Sequence, residues 1–244
     1  MELTGKKVLV TGGGSGIGLG IALALAREGC RVAIAGRSEE KLRKAAAEFD
    51  GRPPILARPC DVADRGDVRR LFTWLAEQGF DPLDILVNSA GINVQRRKMA
   101  ELDPADWDRV LAVNVTGAFN CLHAALPGMR KQRDGLVVNI SSIAGKRALV
   151  LGGAAYCAAK FALTALGTEV GLEERPHGIR VTNVYPGEVD TPILQQRPVP
   201  VPAEKRAQMV HPEDIAACVV TIARLPRHVL VPELVITPLY QEYA

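Results

Sequence analysis

No two of the five cysteines, Cys30, Cys60, Cys121, Cys157 and Cys218, stand at C-x-x-C spacing, and their number is odd. Neither a disulfide framework nor a zinc site fits that arrangement, which suits reduced, mostly buried thiols. The four histidines, His123, His177, His211 and His228, are scattered and have no cysteine pair beside them, which disfavours zinc-dependent chemistry. Lysine and arginine form no block of the concentration that nucleic-acid or membrane-surface binding usually requires, and the formal net charge is only +3, so the pattern points away from both. No G-x-S-x-G elbow is present for a serine hydrolase. The start, "MELTGKKVLV", runs straight into a strand pattern with no signal-peptide character, and no 18-residue apolar span is evident, so the expected location is the cytoplasm. No repeat, low-complexity tract or linker divides residues 1–244, which are expected to form a single domain.

What the chain does have is alternation. Apolar, β-branched runs at 7–10, 31–35, 54–60, 83–88, 136–141, 179–185 and 229–236 predict seven strands, most of them too uniformly apolar to have a wet face. Amphipathic segments near 16–28, 39–48, 64–78, 104–130, 155–174 and 212–224 predict the helices between them, with starts at Ser38-Glu39-Glu40, Asp103-Pro104 and His211-Pro212-Glu213-Asp214. Strictly alternating strand and helix imply right-handed crossovers and a mostly parallel sheet covered on both faces, an α/β doubly wound Rossmann-type fold. One stretch resists this pattern. Residues 191–208 carry Pro192, Pro198, Pro200 and Pro202, which forbid a long helix at its start and leave a lid or a loop.

Two local patterns suggest chemistry. After the first strand comes "TGGGSGIG" (11–18), where glycines permit a sharp turn and leave a helix N-terminus facing an anion such as a diphosphate. Its Gly12, Gly16 and Gly18 are spaced G-x-x-x-G-x-G rather than G-x-G-x-x-G. Further on, "YCAAK" puts Tyr156 and Lys160 four residues apart, so on a helix their polar tips share one face.

With these patterns the chain resembles the short-chain dehydrogenase/reductase family. T-G-x-x-x-G-I-G occurs at 11–18, the Asp-Val pair as Asp61-Val62, N-x-A-G as Asn88-Ser89-Ala90-Gly91, and the helix-four Asn of "VNVTG" as Asn114. I-S-S is Ile140-Ser141-Ser142, Y-x-x-x-K spans Tyr156 and Lys160, and P-G-x-V-x-T-P covers 186–192. The resemblance implies an NAD(P)-dependent oxidoreductase acting on the alcohol or carbonyl of a small molecule. It implies catalytic roles for Tyr156 as acid/base, Lys160 as the tuning cation and ribose contact, Ser142 rather than Ser141 as hydrogen-bond partner of the substrate oxygen, and Asn114 as holder of a proton-relay water. For the cofactor it implies Gly12, Ser15, Gly16, Ile17 and Gly18 at the diphosphate, and Asp61 and Val62 at the adenine. Asn88, Ala90 and Gly91 would lie on the ribose side, and Pro186, Gly187, Val189 and Thr191 at the carboxamide. A dimer or tetramer formed through the helices near 104–130 and 155–174 also follows from it.

Two departures and two local readings complete the expectations. Ser89 replaces the second Asn of N-N-A-G, and the C-terminus "VLVPELVITPLYQEYA" lacks the V-D-G-G tail. The tail looks more like the branch with 3-hydroxy acid and serine dehydrogenases than like a 3-oxoacyl-thioester reductase. A non-catalytic NAD(P)-binding regulator is the alternative from another class, although such relatives usually lose the Tyr or the Lys. Gly36 stands where NAD-preferring relatives carry an acid and Arg37 follows, so NADP(H) is expected over NAD(H), which remains usable. Arg96, Arg97 and Lys98, with Lys146 and Arg147, make an anionic substrate one alternative and solvated loop charges the other.

Overall fold

The structure is a computed structural model and describes residues 2–242. Seven parallel strands form one sheet in the order β3-β2-β1-β4-β5-β6-β7. They are β1 (Lys7–Thr11), β2 (Arg31–Gly36), β3 (Leu56–Pro59), β4 (Ile85–Asn88), β5 (Gly135–Ile140), β6 (Ile179–Pro186) and β7 (Glu233–Ile236). The helices are α1 (Gly16–Arg27), α2 (Glu39–Ala47), α3 (Arg65–Glu77), α4 (Pro104–Leu111), α5 (Gly117–Gln132), α6 (Ala154–Glu174), α7 (Ala203–Arg206) and α8 (Pro212–Arg224).

Uniformly apolar strands follow from this layering. Val8 and Val10 of β1 point into the core beneath α1, α2 and α8, while Leu9 between them points into the core beneath α3, α5 and α6. The same alternation runs through Ile85, Leu86 and Val87 of β4. A side-chain period of two with both faces covered makes both sets of positions apolar along these runs. The outer strands obey a different rule. β3 and β7 lie at the sheet edges, are shorter than the 54–60 and 229–236 runs suggest, and carry exposed residues. Prolines flank both, and a residue without an N–H cannot extend a ladder.

The predicted helix 104–130 is a rod in three pieces. α4 and α5 are joined by one wide π-turn, residues 112–116, which carries Asn114. Such turns re-aim side chains within a helix. The rod also corrects the expectation of no apolar span: an 18-residue window within Pro104–Gln132 has a mean hydropathy of 1.3. Half of that window is buried inside the protein, where it supplies Cys121, Leu122, Leu126 and Met129 to the core. All five cysteines are free, and burial pushes Cys30 and Cys60 up to about 12, which leaves them un-ionised packing groups at neutral pH.

A buried amide ladder crosses the C-terminal half of the sheet. Asn88, Asn139 and Asn183 stand in register on β4, β5 and β6. Asn88 Nδ2 donates to Asn139 Oδ1 at 3.0 Å, and Asn139 Nδ2 donates to Asn183 Oδ1 at 3.1 Å. Gly167 of α6 is seated on this ladder, and a Cβ there would fall 2.2 Å from Asn183 Oδ1 and 2.5 Å from Asn139 Nδ2. Gly→Ala inside a helix ordinarily stabilises by about 1 kcal/mol. At this position Gly167→Ala is expected instead to cost about 2 kcal/mol, since overpacking displaces hydrogen-bonded amides with nowhere to move. Urea denaturation checks it, and a stability equal to or above wild type would show that the ladder yields.

Candidate active site

Parallel strands with helices on alternate faces open a crevice at their C-terminal ends, where the connections from β1 and β4 diverge. Here two cavities of about 310 and 220 Å³ share Gly12, Ser15 and Gly91 and make one cleft.

The turn after β1 forms the junction. Gly12 has φ +66°, and a Cβ there would meet Ala90 N and Ser89 O at 2.8 Å; at Gly18 it would meet Gly12 O at 2.5 Å. Only hydrogen fits, so the backbone itself faces the cleft. Thr11 Oγ1 fixes the opposing turn by accepting from the Ser89 and Ala90 amides at 3.2 and 3.3 Å. The α1 N-terminus has no side-chain cap and no acid in its first turn, whereas Ser38, Asp64 and Asp103 cap α2, α3 and α4. Uncapped amides beside a glycine cradle are donors suited to a diphosphate, so these residues fit a dinucleotide.

The smaller cavity lies on the β2 side of the glycine turn. Gly36, Arg37, Asp61, Val62, Ala90 and Gly91 line it, and so do Ser38 and Lys41. Among the described residues Asp61 is the one acid on that wall, and its Oδ1 already accepts from the Ala63 amide at 3.0 Å. Lys41 escaped the sequence reading, although a basic residue in the first turn of the helix that follows Arg37 is the signal that could have found it. Asn88 corrects an expectation: its side chain is buried in the sheet on the amide ladder and does not line the cleft, because register places Asn139 opposite it.

The larger cavity brings together Ser15, Gly16, Ile17 and Gly18 with Ser142, Tyr156, Lys160, Pro186, Gly187, Val189 and Thr191. The two serines of I-S-S are separated by their partners. Ser141 Oγ is buried, 3.2 Å from both Lys160 O and Thr164 Oγ1. Ser142 Oγ accepts from the Ala144 amide at 3.1 Å and hydrogen-bonds Tyr156. α6 begins at Ala154 and carries Tyr156, Lys160 and Thr164 one turn apart. Lys160 is buried, with Nζ donating to Ile140 O at 2.8 Å and lying 5.5 Å from the Tyr156 ring centroid. Burial lowers Lys160 to about 8. Burial raises the Tyr156 phenol above its ordinary value, while the Ser142 hydrogen bond and the charge of Arg97 pull it down. Asn114 stands behind this group and does not line the cleft. It clasps Ile92 at both backbone atoms, accepting from N at 2.7 Å and donating to O at 2.9 Å. A Cβ at Gly91 would fall 3.4 Å from Asn114 Oδ1 and 3.7 Å from Lys160 Nζ, so both polar atoms lie on one side of that glycine.

The expected charge cluster dissolves on inspection. Arg96 and Lys98 are exposed and off the cleft, and Lys146 is paired with Glu233. Only Arg97 of that group reaches the cavity, where Arg197 and Glu188 join it. Residues 192–196 form a short 3-10 turn whose Ile193 and Leu194 close the substrate end, and Gln241 enters from the C-terminal tail. Gln241 Oε1 accepts from the Glu188 amide at 2.9 Å, a tertiary contact without any local sequence signal.

Fold and cleft together define a dinucleotide-binding α/β protein with a serine, a tyrosine and a lysine at its reactive end. Residues 6–199 match the family model of the short chain dehydrogenases. An uncharacterized oxidoreductase of Staphylococcus aureus (strain USA300) is 35% identical over 236 residues, 97% of this chain and 98% of that protein. Among solved structures, a serine dehydrogenase complexed with NADP+ superposes with a TM-score of 0.88 at 30% identity, covering 97% of this chain and 96% of that one. An alcohol dehydrogenase from the archaeon Thermococcus sibiricus, complexed with 5-hydroxy-NADP, gives 0.86 at 30% identity, with 97% and 98% covered. The chain belongs to the short-chain dehydrogenase/reductase family and is an NAD(P)-dependent oxidoreductase acting on CH–OH or C=O groups.

Proposed function

We propose that this enzyme interconverts a secondary alcohol and a carbonyl of a small molecule with NADP(H), Tyr156 serving as the acid/base. The observation that carries this is the convergence of Ser142, Tyr156 and Lys160 at the nicotinamide end of a cleft whose other end is basic. Bound there, the nicotinamide supplies or accepts the hydride. Gly12, Ser15, Gly16, Ile17 and Gly18 hold the diphosphate, and Pro186, Gly187, Val189 and Thr191 hold the carboxamide side. Lys160 also reaches the ribose. The chain's own part is the proton. In reduction the substrate oxygen takes the phenolic proton of Tyr156 as carbon becomes C–H; in oxidation the phenolate takes it back. Ser142 has one lone pair held by the Ala144 amide, and its O–H, which hydrogen-bonds Tyr156 here, turns to the substrate oxygen where charge develops. Asn114, fixed by Ile92, holds the water that returns the proton through Lys160.

The segment 191–208 acts as a lid, its Ile193 and Leu194 lining the cavity, and the C-terminal tail without V-D-G-G supports a 3-hydroxy acid type of substrate over a 3-oxoacyl thioester. Phe119 of α5 and Phe161 and Leu172 of α6 are large apolar side chains left exposed, which supports a dimer or tetramer through these helices.

Cofactor choice tests the basic end. Arg37 and Lys41 are placed to pair with a 2′-phosphate, and Gly36 leaves room for it. Arg37→Ala and Lys41→Ala are each expected to lower kcat/KM for NADPH by about tenfold, as for a lost charge-assisted hydrogen bond, with NADH little changed. Gly36→Asp should reverse the preference by adding an acid for the ribose hydroxyls. A wild-type preference for NADH would overturn the NADP(H) assignment.

A further inference from the structure

The substrate end of the cleft holds a charge that the proton chemistry does not use. Arg97, on the loop after β4, is 6% exposed, and among the described residues its guanidinium pairs with no carboxylate. Nη1 donates to Leu151 O at 2.9 Å, Nη2 donates to Gln196 O, and Nε is buried without a partner. Three of its five N–H donors are therefore unspent. The one acid nearby is fully engaged: Glu188 is paired with Arg197 at 2.9 Å and Lys205 at 3.1 Å, and it accepts from Tyr240 OH at 2.6 Å. A buried guanidinium with no counter-ion is strongly destabilising, and both burial and the charge of Arg197 work against it. The two carbonyls hold the fork in place, and Gly153, three residues before Tyr156, packs directly on the Arg97 side chain. Arg97 also acts electrostatically on the Tyr156 phenol, so guanidinium and acid/base share one end of the cavity.

We infer that the missing counter-ion is the substrate: Arg97 binds the carboxylate of a small oxo or hydroxy acid whose reacting carbon lies between it and Tyr156. This rests on the oxidoreductase reading above and adds the substrate's charge class and the residue that selects it. A planar fork with parallel donors suits a carboxylate better than a thioester or a neutral ketone, which would leave the guanidinium desolvated and unpaired.

The test compares acetoacetate with its uncharged methyl ester in NADPH consumption. Wild type is expected to favour the acid in kcat/KM by at least about tenfold, the range for a hydrogen bond to a charged group. Arg97→Gln should remove that preference by lowering the acid alone, with the ester within about threefold, and Arg97→Lys should restore part of it. Equal wild-type values for acid and ester would overturn the inference, as would a loss in Arg97→Gln that falls equally on both, the sign of a loop latch. Calorimetric titration of the same two compounds into the NADPH complex of Tyr156→Phe reads the subsite without turnover. Acid-selective binding that Arg97→Gln abolishes supports it even if no hydride moves, a result that would count only against the oxidoreductase reading; absence of acid-selective binding rejects it.

Discussion

Tyr156→Phe is expected to lower kcat by at least about a hundredfold, the lower end for loss of a general acid, with NADP(H) affinity within about twofold of wild type. The phenyl ring keeps the packing at the start of α6, and the cofactor cradle of Gly12, Gly16 and Gly18 is untouched. Only the Oη is removed, together with its hydrogen bond to Ser142. Ser142→Ala, in contrast, leaves the acid in place and takes away the donor beside the substrate oxygen, so it should lower kcat without eliminating the ionisation seen in the pH profile. Since burial raises the phenol while Ser142 and Arg97 lower it, losing the Ser142 hydrogen bond moves the ionisation to higher pH. Stopped-flow reduction under single-turnover conditions separates these effects from product release. A Tyr156→Phe enzyme with wild-type single-turnover rates would move the acid/base role to another group.

The parts of this site that were legible in the sequence are those set by local geometry. A glycine turn between a buried strand and a helix announces its own conformation, and Tyr156 and Lys160 share a face because a helix repeats every 3.6 residues. The sheet was legible for the same reason: runs such as Val8, Leu9 and Val10 have no polar member, so both faces had to be covered. What escaped depends on side-chain direction where no period applies. Arg96, Arg97 and Lys98 are equivalent on paper, yet the loop turns one inward and two to solvent. Asn88 reads as a cleft residue by position, but the amide opposite it comes from β5, some fifty residues further on. Gln241 meets Gly187 only because the tail folds back across β6 and β7. The π-turn at Asn114 was equally silent, since a single wide turn changes the aim of a side chain without altering the helical pattern around it.

Lys160 should show that part of this site is built against stability. Lys160→Met is expected to abolish most turnover, by at least about a hundredfold, and to weaken NADP(H) binding, because the lysine both supports the proton path and reaches the ribose. Its stability should move the other way. In the folded protein burial lowers the ammonium from 10.5 to about 8. Below about pH 8 both folded and unfolded chains carry the proton, and the folded state bears the full cost of burying the charge. Between about 8 and 10.5 the unfolded chain still binds a proton that the folded one has released, so wild-type stability rises with pH across this window. A methionine has no such dependence. The difference in unfolding free energy between Lys160→Met and wild type should therefore shift in favour of wild type by about 3 kcal/mol from pH 7 to 10.5, at about 1.4 kcal/mol per pH unit. The Ile140 carbonyl left without its 2.8 Å donor adds a fixed penalty to the variant but does not alter this slope. Urea titrations of both proteins at matched ionic strength measure it. A pH-independent difference would show that Lys160 keeps its proton throughout, and with it that the ammonium, not a neutral amine, faces Tyr156 at the pH where the phenol ionises.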